Sequence, residues 1–198
     1  MDTAEIGAID EALRADVEQL VASFETLGIP YQSWGPQGLQ RFTERWKAGE
    51  IGYDPENPLG EYWIETIGVT VLWEINDRTF KLTEKRHVLK DGKIIPVPPK
   101  AGASMTRQIK VEETSHRAAT RCLVENLGQT KNGFDDSRLF DFRSDGMTIL
   151  DPISSAEFPG FSVIEHQKQF VCRITALKLH SELYELQLAD KTIVFGWV

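Results

Sequence analysis

The residues whose types and spacing could do chemistry lie between Arg107 and Gln129. Glu112 and Glu113 come just before a run in which Ala118, Ala119, Cys122, Leu123 and Leu127 recur at three- and four-residue spacing, the signature of one apolar helix face. Thr114 or Ser115 can cap that helix, and the two glutamates suit the positive end of its dipole. Gly128 is placed to end it in a left-handed C-cap. Arg121 stands four residues before Glu125 and eight after Glu113, so the three can form ion pairs along a helix surface.

Taken together, these residues fall into a known register. Glu113, Arg121, Leu123, Glu125 and Gly128 resemble the Nudix signature, G-x5-E-x7-R-E-U-x-E-E-x-G-U, in which U is a bulky aliphatic residue. The chain departs from it at Arg107 (Gly in the family), Cys122 and Asn126 (both Glu) and Gln129 (aliphatic). The resemblance implies an α/β/α sandwich on a mixed sheet and hydrolysis of a diphosphate linked to another moiety. It also implies Mg2+ or Mn2+ held by several glutamates, because hard cations need several oxygen ligands at once. On a helix, positions 122, 125 and 126 share a face, so three glutamates there can converge. Here the triplet is Cys122, Glu125 and Asn126, which keeps one carboxylate. By resemblance, Glu113, Arg121 and Glu125 are the candidate catalytic residues, and Glu113 and Glu125 the candidate metal ligands.

Other candidates come from the residues themselves. Arg78, Lys85, Arg86 and Arg107, with Lys81 and Lys93, could hold the phosphates of a nucleotide or other small molecule, although solvated strand edges are also rich in such residues. The histidines are scattered, and no Gly-x-Ser-x-Gly elbow or phosphate-binding glycine loop is present. Cys122 and Cys172 read as buried thiols, since no Cys-x-x-Cys or Cys/His cluster exists.

The elements that must position these residues follow from periodicity. Residues 3–27 form an amphipathic helix capped by Thr3, with Ile6, Ile9, Leu13, Val17, Leu20, Val21 and Phe24 on one stripe. A second helix is expected at about 37–48, and residues 49–60, rich in Gly and Pro, form a loop. From Glu61 the period becomes two. Strands are expected at Glu61–Ile75, Arg78–Leu89, 93–97, 138–143, 147–150, 162–177, 183–188 and 192–198, with turns at Asn76-Asp77, Asp91-Gly92 and Ser144-Asp-Gly146. Residues 98–104 read as an irregular loop leading to the motif. The expected fold class is α+β: residues 1–60 as an N-terminal helical extension, then 61–198 as a Nudix-like domain with a mixed sheet.

The chain carries a net charge of −8, with 11 acidic and 4 basic side chains in residues 1–60, while Arg78 to Arg121 holds 11 basic against 4 acidic. An acidic balance argues against nucleic acid as partner. No apolar run reaches the roughly 20 residues that span a membrane, and the acidic start lacks the form of a secretion signal, so a cytoplasmic protein is expected. The N-terminal helix could pack on the domain or bind a protein partner, including a second copy as a homodimer. Two functional readings result. One is a Nudix-like domain with a degenerate box, a non-hydrolytic module that binds a phosphate-containing ligand or a protein and needs no cofactor. The other is a Mg2+- or Mn2+-dependent pyrophosphohydrolase. A third needs no such ancestry: an unrelated α+β protein acting through its basic region or its first helix.

Overall fold

The structure, a computed structural model, describes residues 14–35, 37–56, 58–98, 103–128, 140–174 and 183–198. The Thr3 cap, the stripe positions Ile6, Ile9 and Leu13, and the strand residues expected at 138–139 and 175–177 lie outside them. Among the described residues no helix is long and apolar enough to cross a membrane. The chain forms two compact units. One comprises residues 1–65 and 149–166, the other 66–148 and 167–198. The expected division after residue 60 gives 149–166 to the second domain, whereas in the structure they pack with the first.

In the first unit, helix α1 (Arg14–Leu27) buries Val17, Leu20, Val21 and Phe24. It stops at Gly28, whose φ of 67° only glycine adopts freely, and Ile29 N donates back to Phe24 O at 2.9 Å in the Schellman manner. A 3-10 turn at Tyr31–Trp34 leads to helix α2 (Gly38–Lys47), which buries Phe42. The loop expected at 49–60 is tied down. Gly52 exchanges backbone hydrogen bonds with Trp63 at 2.8 and 2.9 Å, and a Cβ there would stand 1.8 Å from the indole. The interior is aromatic: Phe42 lies 5.0–6.0 Å from the rings of Phe24, Trp34, Tyr53, Tyr62, Phe158 and Phe161. Polar ends are satisfied within it. Trp34 Nε1 donates to Pro159 O at 2.8 Å, the Tyr62 and Ser155 hydroxyls pair at 2.9 Å, and those of Ser23 and Tyr53 pair as well.

The strands are β1 (Glu61–Ile75), β2 (Arg78–Leu89), β3 (Ile94–Pro96), β4 (Met105–Gln108), β5 (Phe140–Ile149), β6 (Ile153–Ser154), β7 (Ser162–Ile174), β8 (Leu183–Gln187) and β9 (Lys191–Trp197). They form one sheet in the order β5-β7-β1-β2-β9-β8, with β3, β4 and β6 paired to β2, β1 and β7. The β1–β2 and β8–β9 hairpins are antiparallel; β1 and β7 run the same way, since Gly60 meets Ser162 and Gly68 meets Gln167, so the sheet is mixed. The β1–β2 turn places Asn76 and Asp77 at φ 48° and 59°, the geometry that matches the twist of a two-residue hairpin.

In the second unit, helix α3 (Ser115–Leu123) packs Ala118, Ala119, Cys122 and Leu123 on Ile67, Val69, Val71, Met105, Phe170 and Cys172. A helix against a mixed sheet is the α+β class that the sequence predicts. Two local expectations are corrected. Residues 105–108, where no strand is expected, form β4, because β1 offers a free edge to which Met105–Gln108 bond in register with Thr66–Val69. The two short strands expected on either side of 144–146 are one strand, β5. Gly146 absorbs the bend at φ 92° without breaking the run.

Candidate functional site

The segment from Arg107 onward has the strand, loop and helix form needed to gather its charged side chains. Arg107 lies in β4 opposite Ile67. The chain then turns through Glu112, held at a left-handed φ of 61°, and Glu113 N closes the turn on Lys110 O at 3.0 Å. Thr114 is the cap: its hydroxyl accepts from Arg117 N at 3.3 Å. After Leu123 the helix widens into a π turn over Val124–Gly128.

Arg121 sits at the centre. Its Nε and Nη2 donate to the two oxygens of Glu113 at 2.9 and 2.8 Å, a bidentate pair with both side chains largely buried. Nη2 also donates to Gln108 O at 2.8 Å, and Nη1 reaches Glu125 Oε2 at 3.2 Å. Arg107 approaches from β4: Nε to Glu125 Oε2 at 3.4 Å, Nη2 to Asn126 Oδ1 at 3.0 Å, Nη1 to Thr106 O at 3.1 Å. Asn126 Nδ2 in turn donates to Cys122 O at 2.6 Å. The result is one continuous chain of contacts, Glu113–Arg121–Glu125–Arg107–Asn126–Cys122.

Its electrostatics follow from these contacts. The hydrogen bonds from Arg121, helped by the Lys110 backbone N–H and opposed by partial burial, pull the Glu113 carboxyl from 4.5 down to about 2. Glu113 correspondingly raises Arg121. Burial pushes the Cys122 thiol up to about 12 and does the same to Cys172. Both cysteines are therefore protonated and shielded at neutral pH. A thiol reagent at pH 8 is expected to label neither in the native protein and both after denaturation; rapid native labelling would contradict the packing.

Positions 122, 125 and 126 do not form the single ligand face that helix spacing predicts; Glu125 and Asn126 meet only on the Arg107 guanidinium. Cys122 and Asn126 are 0% and 3% exposed, while the Glu125 side chain is 37% exposed. The two flanking residues point inward and the carboxylate between them points out. A divalent ion would need oxygens that are free, and these are not. Both oxygens of Glu113 hold Arg121, Glu125 lies between two guanidinium groups, the Asn126 oxygen is taken by Arg107, and Cys122 offers a protonated sulfur. The donor set does not fit Mg2+ or Mn2+. Among the described residues no group of three or more His, Cys, Asp or Glu side chains is gathered as a metal site requires.

Of the residues expected to hold phosphate, the structure brings Arg107 into this network and leaves Arg78, Lys85 and Arg86 on β2, outside its bonds. Arg78 begins the strand, Lys85 lies across Gly196 at an irregularity in the β2–β9 register, and Arg86 is exposed opposite Val194. A recess of about 120 Å³ beside β2 and β4, lined by Thr83, Glu84, Ser104 and Thr106 among others, is too small for a nucleotide, whose pockets start near ~300 Å³. Sequence reading missed the Gln108 carbonyl and the inward role of Asn126. The signal was there in the pairing of two departures, an arginine gained at 107 and a carboxylate lost at 126.

No family model and no curated protein matches the chain. Among solved structures, the Caenorhabditis elegans Ap4A hydrolase is 12% identical, over 68% of this chain and 78% of its own, with a TM-score of 0.38. The Trypanosoma brucei MERS1 protein in its apo form is 13% identical, over 81% and 62%, with a TM-score of 0.39. The NUDIX domain of Shewanella oneidensis NrtR, solved with ADP ribose, is 10% identical, over 78% and 80%, with a TM-score of 0.35. Nudix proteins are thus among the similar structures. Likeness at these scores decides nothing about chemistry.

Proposed function

We propose that this chain is a Nudix-like domain whose box has become a structural clasp, and that it works in the cytoplasm as a non-hydrolytic module binding a phosphate-containing ligand or a protein partner. One observation carries the reading: every carboxylate of the box is engaged by a guanidinium, Glu113 through both oxygens and Glu125 from two sides. Glu113 so held is a poor general base, because its conjugate acid is disfavoured, and both carboxylates are poor metal ligands while they accept from guanidinium groups. The competing reading, hydrolysis with Mg2+ or Mn2+ on Glu113 and Glu125, requires the ion to share or take oxygens that the two arginines already hold. Arg78, Lys85 and Arg86 support the choice of an anionic ligand.

The test is a panel of ADP-ribose, Ap4A and nucleoside diphosphate sugars with Mg2+ or Mn2+, followed by calorimetric binding of the same compounds. The expected result is no turnover above background. Metal-dependent turnover that disappears in Glu125→Gln would overturn the proposal.

A further inference from the structure

The two departures from the signature at Arg107 and Asn126 meet in space, and on the reading of the box just given they carry a second step. Position 107 is where the signature has glycine, which brings no side chain. Here it brings a guanidinium, anchored by its β4 backbone and by Nη1 on Thr106 O at 3.1 Å. That group bonds Glu125 at 3.4 Å and Asn126 at 3.0 Å, the two adjacent positions that the signature fills with metal-binding glutamates. We infer that the Arg107 guanidinium is the resident cation of this site, taking the place of the divalent ion.

The charge balance is consistent with that role. Relative to the signature, two glutamates and the divalent ion are lost and one arginine is gained, so Glu113 and Glu125 are balanced by Arg121 and Arg107 with no charge left over. The loss at position 126 is then explained. Asn126 is 3% exposed, and an amide there accepts from Arg107 while donating to Cys122 O at 2.6 Å, which a carboxylate could not do. A planar fork also suits two acceptors on successive residues better than a point charge would.

The experiment uses the full chain and Mn2+ alone as probe. Asn126→Glu keeps Arg107 and gives it a second carboxylate, so it is expected to fold and to show no Mn2+ response. Adding Arg107→Gln removes the cation and leaves Glu125 beside a new carboxylate. That double variant should have a lower Tm than Asn126→Glu, and Mn2+ at millimolar concentration should raise it by roughly 3 °C or more, with bound Mn2+ seen by paramagnetic resonance. Folding of the double variant only when Mn2+ is present supports the inference equally. It is overturned if Asn126→Glu binds Mn2+ as well as the double variant does, or if the double variant neither binds Mn2+ nor recovers stability with it. Hydrolysis by the wild-type chain would instead sink the proposed function and leave these thermal shifts to be read separately.

Discussion

Arg121→Met is expected to lower stability by about 2–4 kcal/mol, seen as a fall in Tm of roughly 5–10 °C. The methionine keeps the length and apolar stem of the arginine but makes none of its hydrogen bonds. What remains is a Glu113 carboxylate only 11% exposed, a Gln108 carbonyl without its charged donor, and Glu125 held by Arg107 alone. Most of the loss comes from the stranded carboxylate, so Glu113→Gln in the Arg121→Met background should recover part of it. A Tm within about 1 °C of wild type would show that the clasp is a surface pair of the weak kind.

The same pair has a pH signature. The Glu113 carboxyl titrates at about 2 in the folded chain against an ordinary 4.5, so its folded pKa is depressed. Its contribution is fully present above the ordinary value and disappears as pH falls toward about 2. The stability gap between wild type and Glu113→Gln should therefore be constant from neutral pH to about 5 and close below it. A gap that widens on acidification would mean that the contact is not made in the folded state.

Phe42→Ala is expected to cost more, about 3–5 kcal/mol. The ring is fully buried at the middle of the first unit's interior, and six other aromatic rings face the void its removal would create. Six rings that reach one centre from five different segments cannot all collapse into it, so the cavity term stays large. Phe42→Leu should cost less than half as much. Thermal denaturation with near-ultraviolet circular dichroism, which reports these rings directly, checks both variants; equal Tm values for alanine and leucine would refute the packing.

What was legible in the sequence is the part governed by local rules. β1 and β2 begin and end where the alternation and the Asn76-Asp77 turn put them, and α2 follows its apolar spacing to within two residues. α3 starts after its Thr114 cap but gives way at Leu123 to the π turn that runs to Gly128. β4 was not legible. Four residues bearing Thr, Arg and Gln carry no apolar alternation, and they become a strand only because β1 presents an unpaired edge. The unbroken β5 was hidden for the opposite reason, a local turn signal at Gly146 overruled by the sheet. In the box, the register of Glu113, Arg121 and Glu125 was visible, and their pairing could be anticipated from spacing. The inward turn of Asn126 could not, because the π turn at 124–128 changes the periodicity on which a face is counted.

The discontinuity of the first unit bears on how the chain is made. Phe158 and Phe161 belong to the same aromatic interior as Phe24 and Phe42, yet residues 66–148 are synthesised between them. The N-terminal helices leave the ribosome long before their last ring partners exist, and closing that interior requires contacts more than a hundred residues apart. Such contacts form slowly. A fragment ending at residue 60 would lack Tyr62, Phe158 and Phe161, so the helices are expected to gain their final packing only once residues 158–161 have been made.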